Sequence, residues 1–198
     1  KARAPFISIG GGISRYTNGA MTIRSIVALP ALVGAWHTDG GGCFVGTSTS
    51  AAFDMTLIER ADLIRGNPRS VNMSRLGEAL TALNDPPVKG LYIYNSNPAV
   101  VAPDQNQVLE GLLRNDLFTV VHERFMTDSA RYADIVLPAM TSLETSDIYR
   151  SYGSYCIQRT RPLIPPVGQS KSNREVFAML ATEMDYTEPC IQQTAEDL

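Results

Sequence analysis

A run of polar and charged side chains directly follows the apolar segment Leu117–Val121. This segment is rich in β-branched and aromatic residues, which is typical of a buried strand. Ligands of open parallel sheets bind outside the carboxyl ends of the strands, so polar groups at this point indicate a binding site. The polar residues are His122, Glu123, Arg124, Thr127, Asp128 and Ser129.

Two other strand ends carry residues that could contact a ligand through their backbone. Gly10–Gly12 follows a first short strand, and glycines at such a position let backbone amides approach an anionic group. The glycine spacing is not a dinucleotide fingerprint, so an ordinary tight turn remains an alternative. Asn95, Ser96 and Asn97 precede Pro98 at the end of another strand, and Asn and Pro also favour plain turns.

Alternating apolar runs and helical periodicities predict an α/β protein with three layers, a mostly parallel sheet with helices on both faces. The strands are predicted at 5–10, 88–95, 117–121 and 135–137, and the helices at 20–36, 73–83, 105–114 and 173–185. In the first helix, Pro30 should kink or split the chain. The stripe Ile26, Leu29, Val33 and Trp36 should be buried. Asp104 and Ser172 are the predicted N-caps of the last two helices.

Composition favours an ordinary globular protein. The net charge of −3 gives no reason to expect nucleic-acid binding or contact with an anionic membrane, and no run of 18 apolar residues is present. Three widely spaced cysteines without a Cys-x-x-Cys pair argue against an iron–sulfur or zinc site and favour a cytoplasmic location. We expect residues 1–198 to be a single domain from a larger protein, with a variable insertion at about 43–73.

One long pattern is far more specific than these features. Thr127, Ser129-Ala130, Ala133-Asp134 and Val136-Leu137-Pro138 resemble a motif of the molybdopterin oxidoreductase family. This is the bis-molybdopterin guanine dinucleotide group, which includes dimethyl sulfoxide reductases, periplasmic nitrate reductases and formate dehydrogenases. The glycine-rich turns and the segment after Pro138 also resemble the family, so the resemblance covers nearly the whole chain except residues 43–73. It implies a Rossmann-like fold of the kind found in domains 1–3 of formate dehydrogenase and dimethyl sulfoxide reductase.

The resemblance implies a role for each polar strand end. Gly11, Gly12, Ser96 and Asn97 would offer amides to the dinucleotide, because a pyrophosphate requires amide donors or a cation. Arg15 stands where several family members have a Gln that contacts the pterin, and it would bind a phosphate or the pterin. Asn95 replaces the glycine of a family Gly-x-Asn-Pro pattern.

Glu123 occupies a position that is usually acidic in the family, and it would recognise the guanine or the ribose. The alternative is an exposed glutamate paired with Arg124.

The remaining candidates follow the same logic. His122 would contribute through its backbone, because no second metal ligand or acid–base partner lies near it in the sequence. Thr127 and Ser129 would offer hydroxyls to a ribose or phosphate oxygen, or would cap the next helix. Thr145 and Asn173 match positions that carry a Lys and an Asp at the dinucleotide in relatives such as the nitrate reductases. Asp134 matches the motif but is interpreted as structural.

The implied function is to hold part of a Mo-bis-molybdopterin guanine dinucleotide in a molybdenum or tungsten oxidoreductase that performs two-electron redox chemistry. The family's metal ligand and iron–sulfur motif lie upstream of the region that this chain resembles, so we expect no catalytic residue and no metal ligand here. A [4Fe-4S] cluster would be bound outside this chain, which alone would be inactive. The expected partners are other domains of the same polypeptide and an electron-transfer subunit. Two alternatives stay open: a scaffold domain of a complex I-like iron–sulfur subunit without molybdenum, and an unrelated nucleotide-binding module.

Overall fold

The computed structural model describes the chain except for residues 1, 47–53, 55, 57, 58, 65, 151–155 and 195–198. Contacts divide the chain into two compact units, residues 1–64 with 149–158 and residues 65–148 with 159–198. Part of the predicted insertion at 43–73 lies outside the described residues, and the prediction of one functional domain remains a prediction.

The first unit is built on two parallel strands, β1 (Phe6–Ile9) and β2 (Gly42–Val45), with Phe6 paired to Gly42. Helix α1 (Gly19–Leu32) connects them and is followed by a 3₁₀ turn at Ala35–His37. Gly42 has a φ of +114°, and a Cβ there would lie 2.8 Å from the Trp36 ring. Glycine is therefore required where β2 begins. The sequence had indicated β1 and α1 but not β2.

The prediction of a buried stripe on this helix was wrong. Leu29, Val33 and Trp36 are each at least half exposed, and Ile26 is only partly buried. The helix also ends at Leu32, two residues after Pro30, instead of continuing to residue 36. The periodicity correctly identified an apolar face of α1. Among the described residues of this unit, however, the short strands β1 and β2 cover too little of that face, and most of it stays exposed.

The second unit contains the main core, around the parallel sheet β3 (Gly90–Tyr94), β4 (Phe118–Glu123) and β5 (Ile135–Pro138), with β4 in the centre. On one face, helices α2 (Leu76–Thr81) and α4 (Gln105–Leu112) pack onto Ile93 and Val121. The two helices approach closely, because a Cβ on Gly111 would lie 2.4 Å from the Leu80 Cβ. The predicted parallel strands are confirmed.

Helix α5 (Asn173–Glu183) packs on the opposite face of this sheet. The Phe177 ring packs at a tilt against Tyr92 and edge-on against Tyr94, with ring centroids 5.4 and 5.1 Å apart. The side chains of Tyr92 and Tyr94 leave the strand on the face away from Ile93, since side chains alternate along a strand. Helices therefore lie on both faces, which confirms the predicted α/β architecture.

The remaining elements are short: α3 (Pro98–Val101), β6 (Asp147–Arg150), β7 (Ile157–Thr160) and α6 (Pro189–Gln192). Strands β6 and β7 form a sheet of their own. The predicted cap at Ser172 is confirmed, whereas Asp104 precedes α4 with a left-handed φ of +55° and makes no side-chain cap bond. Leu180 of α5 is 43% exposed, because α5 contacts the sheet mainly through Phe177.

Candidate functional site

Several of the predicted ligand-binding residues of the second unit lie at the carboxyl edge of the three-stranded sheet. Tyr94 pairs with His122, and Glu123 pairs with Pro138. Asn95 and Glu123 therefore follow paired positions on neighbouring strands and lie side by side at this edge. Asn95 and Ser96 are exposed, and Asn95 has a left-handed φ of +52° that is uncommon for a residue other than glycine.

Asn97 and Ser129 bond to each other instead of pointing outward. The Asn97 Oδ1 accepts from the Ser129 hydroxyl at 2.7 Å and from the Ser129 amide at 3.1 Å. The Ser129 hydroxyl in turn accepts from the Ala99 amide at 3.0 Å and is fully buried. These side chains fasten the β3 loop to the loop after β4. A ligand could therefore contact Asn97 only through its backbone or its side-chain amide nitrogen, because the side-chain oxygen is already bonded.

The side chain of His122 is buried, with 2% of the residue exposed, and it faces away from solvent. Its Nε2 lies 3.2 Å from the Lys171 carbonyl oxygen, so Nε2 must carry the proton and donate. Its Nδ1 is then an acceptor, and it has no hydrogen-bond partner among the described residues. The side chain thus links β4 to a segment 49 residues later, a contact that the sequence did not indicate.

Glu123 is the carboxylate best placed for an external donor at this edge. Its side chain is 13% exposed, its Oε1 accepts from the Arg124 amide at 2.7 Å, and the Arg124 Nε lies 3.9 Å from the same oxygen. In the part of the chain that the structure describes, no hydrogen bond reaches its Oε2. The pairing with Arg124 therefore exists, but it occupies one oxygen and leaves the other available.

The Thr127 side chain bonds within the turn that follows β4, next to the N-cap position Asp128. Its hydroxyl accepts from the Ala130 amide at 3.4 Å, at the start of the 3₁₀ turn Ser129–Tyr132. Asn173 reaches the same edge from α5, since its Nδ2 donates to the Asn95 Oδ1 at 3.3 Å. Asp134 accepts from the Thr119 amide at 2.7 Å at the opposite edge of the sheet, in agreement with its structural interpretation.

Thr145 was predicted as a site residue, but its neighbour Glu144 forms the more extensive contacts. The Thr145 hydroxyl donates to the Ser146 carbonyl at 3.2 Å, and no described contact joins it to Asn95 or Glu123. Glu144 is 3% exposed and accepts from the Thr141 and Val167 amides at 2.7 and 2.6 Å and from the Ser170 hydroxyl at 3.0 Å. Hydrogen bonds from Thr141 and Val167 lower the pKa of Glu144 from 4.5 to about 2. Its contacts could not be predicted from the sequence, because its donors lie up to 26 residues away.

Gly11, Gly12 and Arg15 belong to the first unit, where they form a 3₁₀ turn directly after β1. A Cβ on Gly10, Gly11 or Gly12 would meet nothing within 4 Å, so this backbone is open. Arg15 is exposed. This turn can offer amides and one cation to an anionic ligand, and its role in binding stays a prediction.

In the described part of the chain, no three His, Cys, Asp or Glu side chains cluster in a way that could hold a metal ion. No helix in that part is long and apolar enough to cross a membrane.

Comparison with known proteins decides the family. A model of the molybdopterin oxidoreductase family matches residues 1–183, which is most of the chain. The chain belongs to the molybdopterin oxidoreductase family. The resemblance read from Thr127 to Pro138 is thereby confirmed.

Relatives in the molybdopterin oxidoreductase family are several times longer than this chain. The probable oxidoreductase YoaE of Bacillus subtilis is 47% identical over 194 residues, which cover 98% of this chain and 28% of YoaE. The dimethyl sulfoxide/trimethylamine N-oxide reductase of Rhodobacter capsulatus is 30% identical over 180 residues, 88% of this chain and 21% of that protein. The chain thus spans about a quarter of the length of these relatives.

The structure of acetylene hydratase from Pelobacter acetylenicus matches with a TM-score of 0.52 and 26% identity. The match covers 59% of this chain and 16% of the hydratase. The α/β fold is therefore shared with a solved structure.

Proposed function

We propose that this chain holds part of a molybdopterin guanine dinucleotide in a molybdenum or tungsten oxidoreductase. The observation that carries the proposal is the carboxyl edge of the β3–β4–β5 sheet, where Asn95 and the largely buried Glu123 lie together in a chain of this family. The names of relatives such as the reductase from Rhodobacter capsulatus support the reaction class. The reaction of the whole protein is part of this proposal.

The donor and acceptor groups at this edge fit a guanine nucleotide. A guanine presents two adjacent N–H donors, and a carboxylate is the acceptor that binds them best. Glu123 offers its Oε2 to one of these donors, while the Arg124 amide fixes the rotamer through Oε1. The Asn95 and Ser96 backbone and the Asn173 side chain add polar groups for a ribose or a phosphate.

The open turn Gly10–Gly12 and the exposed Arg15 of the first unit by themselves fit an anionic group such as a phosphate. Backbone without side chains lets amides approach phosphate oxygens, and Arg15 adds a fixed positive charge. When bound, the cofactor supplies two-electron redox chemistry at its metal. The residues of this chain only bind and orient it, and none of them transfers a proton or an electron in this proposal.

The test uses the protein expressed from its complete gene. We expect stoichiometric molybdenum or tungsten by elemental analysis and an equivalent amount of guanine nucleotide after acid release. Glu123→Gln should lower the affinity for guanine dinucleotide about tenfold or more, because the replaced oxygen becomes a donor facing a donor. Glu110→Gln, at an exposed position of α4, is the matched control and should change nothing.

The contrary results are distinct. A pure protein without molybdenum, tungsten or guanine nucleotide would favour the scaffold role of a complex I-like subunit. If the metal content is normal and Glu123→Gln binds guanine dinucleotide as tightly as wild type, the proposed cofactor role stands. Glu123 would then not contact the guanine.

A further inference from the structure

Residues 167–173 form a segment that is fastened at several points to the rest of the second unit, and we call it the anchored segment. At its start, Glu144 accepts from the Val167 amide and the Ser170 hydroxyl. Next to it, Gly168 has a φ of +62°, which turns the chain. The anchored segment therefore depends on a buried carboxylate that belongs to the loop after β5.

The middle of the anchored segment extends the sheet edge. The Lys171 amide donates to the Pro138 carbonyl at 3.1 Å, and the Lys171 carbonyl accepts from the Met140 amide at 3.1 Å. The same carbonyl accepts from the His122 Nε2 at 3.2 Å. Both β4 and the chain after β5 thus fix the position of Lys171.

The far end of the anchored segment carries a candidate binding residue. Ser172 caps α5, and Asn173 donates to the Asn95 Oδ1 at the carboxyl edge. A shift of the anchored segment would move Asn173 away from Asn95 and break the hydrogen bond between their side chains at the carboxyl edge. Displacements of about 1 Å at a binding group are enough to weaken a ligand contact substantially.

We infer that Glu144 and His122 are positioning residues, which hold the anchored segment so that Asn173 stays in place beside Asn95 at the dinucleotide site. Neither side chain needs to touch the ligand, since both are buried. The affinity consequence rests on the proposed function, whereas the effect on the anchored segment does not.

A purely structural role predicts something different, and Asp134 offers the comparison. Asp134 also accepts from a backbone amide through its carboxylate, but at the amino edge of the same sheet. Asp134→Asn should lower stability without affecting the carboxyl edge. Glu144→Gln places an amide N–H against backbone N–H donors and should release the anchored segment.

The experiment compares these variants in the protein expressed from its complete gene. Hydrogen exchange at the Val167 and Lys171 amides and binding of guanine dinucleotide are measured for both. We expect Glu144→Gln to accelerate exchange at these amides and to weaken binding about tenfold. Asp134→Asn should lower Tm about as much as Glu144→Gln does. It should nevertheless leave the exchange of these amides and the binding of guanine dinucleotide unchanged.

Two variants of His122 add an independent arm. His122→Phe removes the donor to Lys171 and should weaken binding, whereas His122→Gln keeps an N–H donor at the end of the side chain and should restore it. If Glu144→Gln leaves exchange at Val167 and Lys171 unchanged, or if Asp134→Asn weakens binding equally, the positioning role is overturned. A wild-type protein without guanine dinucleotide affinity refutes the proposed function, and the exchange data then decide separately whether Glu144 holds the anchored segment.

Discussion

At the scale of single residues, Ser129 shows how a residue predicted to bind a ligand can serve the fold. Ser129→Ala removes the hydroxyl that donates to Asn97 and accepts from the Ala99 amide. The buried Ala99 N–H then lacks a partner, so we expect a loss of about 1–3 kcal/mol in the free energy of unfolding. Urea denaturation of the 198-residue chain measures it, with Ser96→Ala at an exposed position as the control. A loss as small as that of the control would show that the bond between the two loops is unimportant.

The carboxylate of Glu144 makes a prediction about pH at the same scale. Its pKa of about 2 in the folded state lies below the ordinary value of 4.5, so the unfolded chain binds the additional proton. The stabilisation is therefore fully present above about pH 4.5 and is lost as the pH falls towards 2. The difference in unfolding free energy between wild type and Glu144→Gln should shrink over that range and stay constant at higher pH. A difference independent of pH between 2 and 6 would contradict the hydrogen-bonded carboxylate.

At the scale of elements, the first turn of α5 is a capping box whose sequence signature is readable in advance. Ser172 accepts from the Glu175 amide at 3.2 Å, and Glu175 accepts from the Ser172 amide at 2.8 Å. These bonds lower the pKa of Glu175, because they favour its charged form. Ser172→Ala should lower the free energy of unfolding by about 1 kcal/mol in thermal or urea unfolding. Thr182→Ala near the end of the same helix is the control and should change it by less than about 0.5 kcal/mol.

Predictability from sequence also differs between kinds of element. Strands β3, β4 and β5 were predictable because short β-branched runs are bounded by turn residues, and these strand ends define the candidate edge. The hydrogen bonds that shape this edge were not predictable, because they join residues far apart in the sequence. Asn97 and Ser129 are 32 residues apart, and His122 and Lys171 are 49 residues apart. Periodicity shows that a helix has an apolar face, but it does not show whether another element packs on that face. The apolar face of α1 was therefore predicted to be buried although it is largely exposed.

At the scale of the whole molecule, that same face has a consequence for solution behaviour. The exposed apolar surface at the end of α1 includes the stripe residue Val33, just after the helix, at 67% exposure and the adjacent Leu32 at 81%. Contiguous exposed apolar surface favours association with other apolar surfaces. The relatives of this chain are three to five times longer, and in such proteins further chain is present that could pack on a surface of this kind.

We therefore expect the 198-residue chain to bind a hydrophobic dye through α1, and the double variant Leu32→Gln, Val33→Gln to bind clearly less. Because both side chains are exposed, their replacement should change Tm by no more than about 2 °C. Leu112→Gln is the contrasting variant, since this side chain is 4% exposed in the core and its replacement should lower Tm strongly and raise dye binding. If the double variant also unfolded at a much lower temperature, the α1 stripe would be packed within the chain, and the sequence-based prediction of its burial would be right after all.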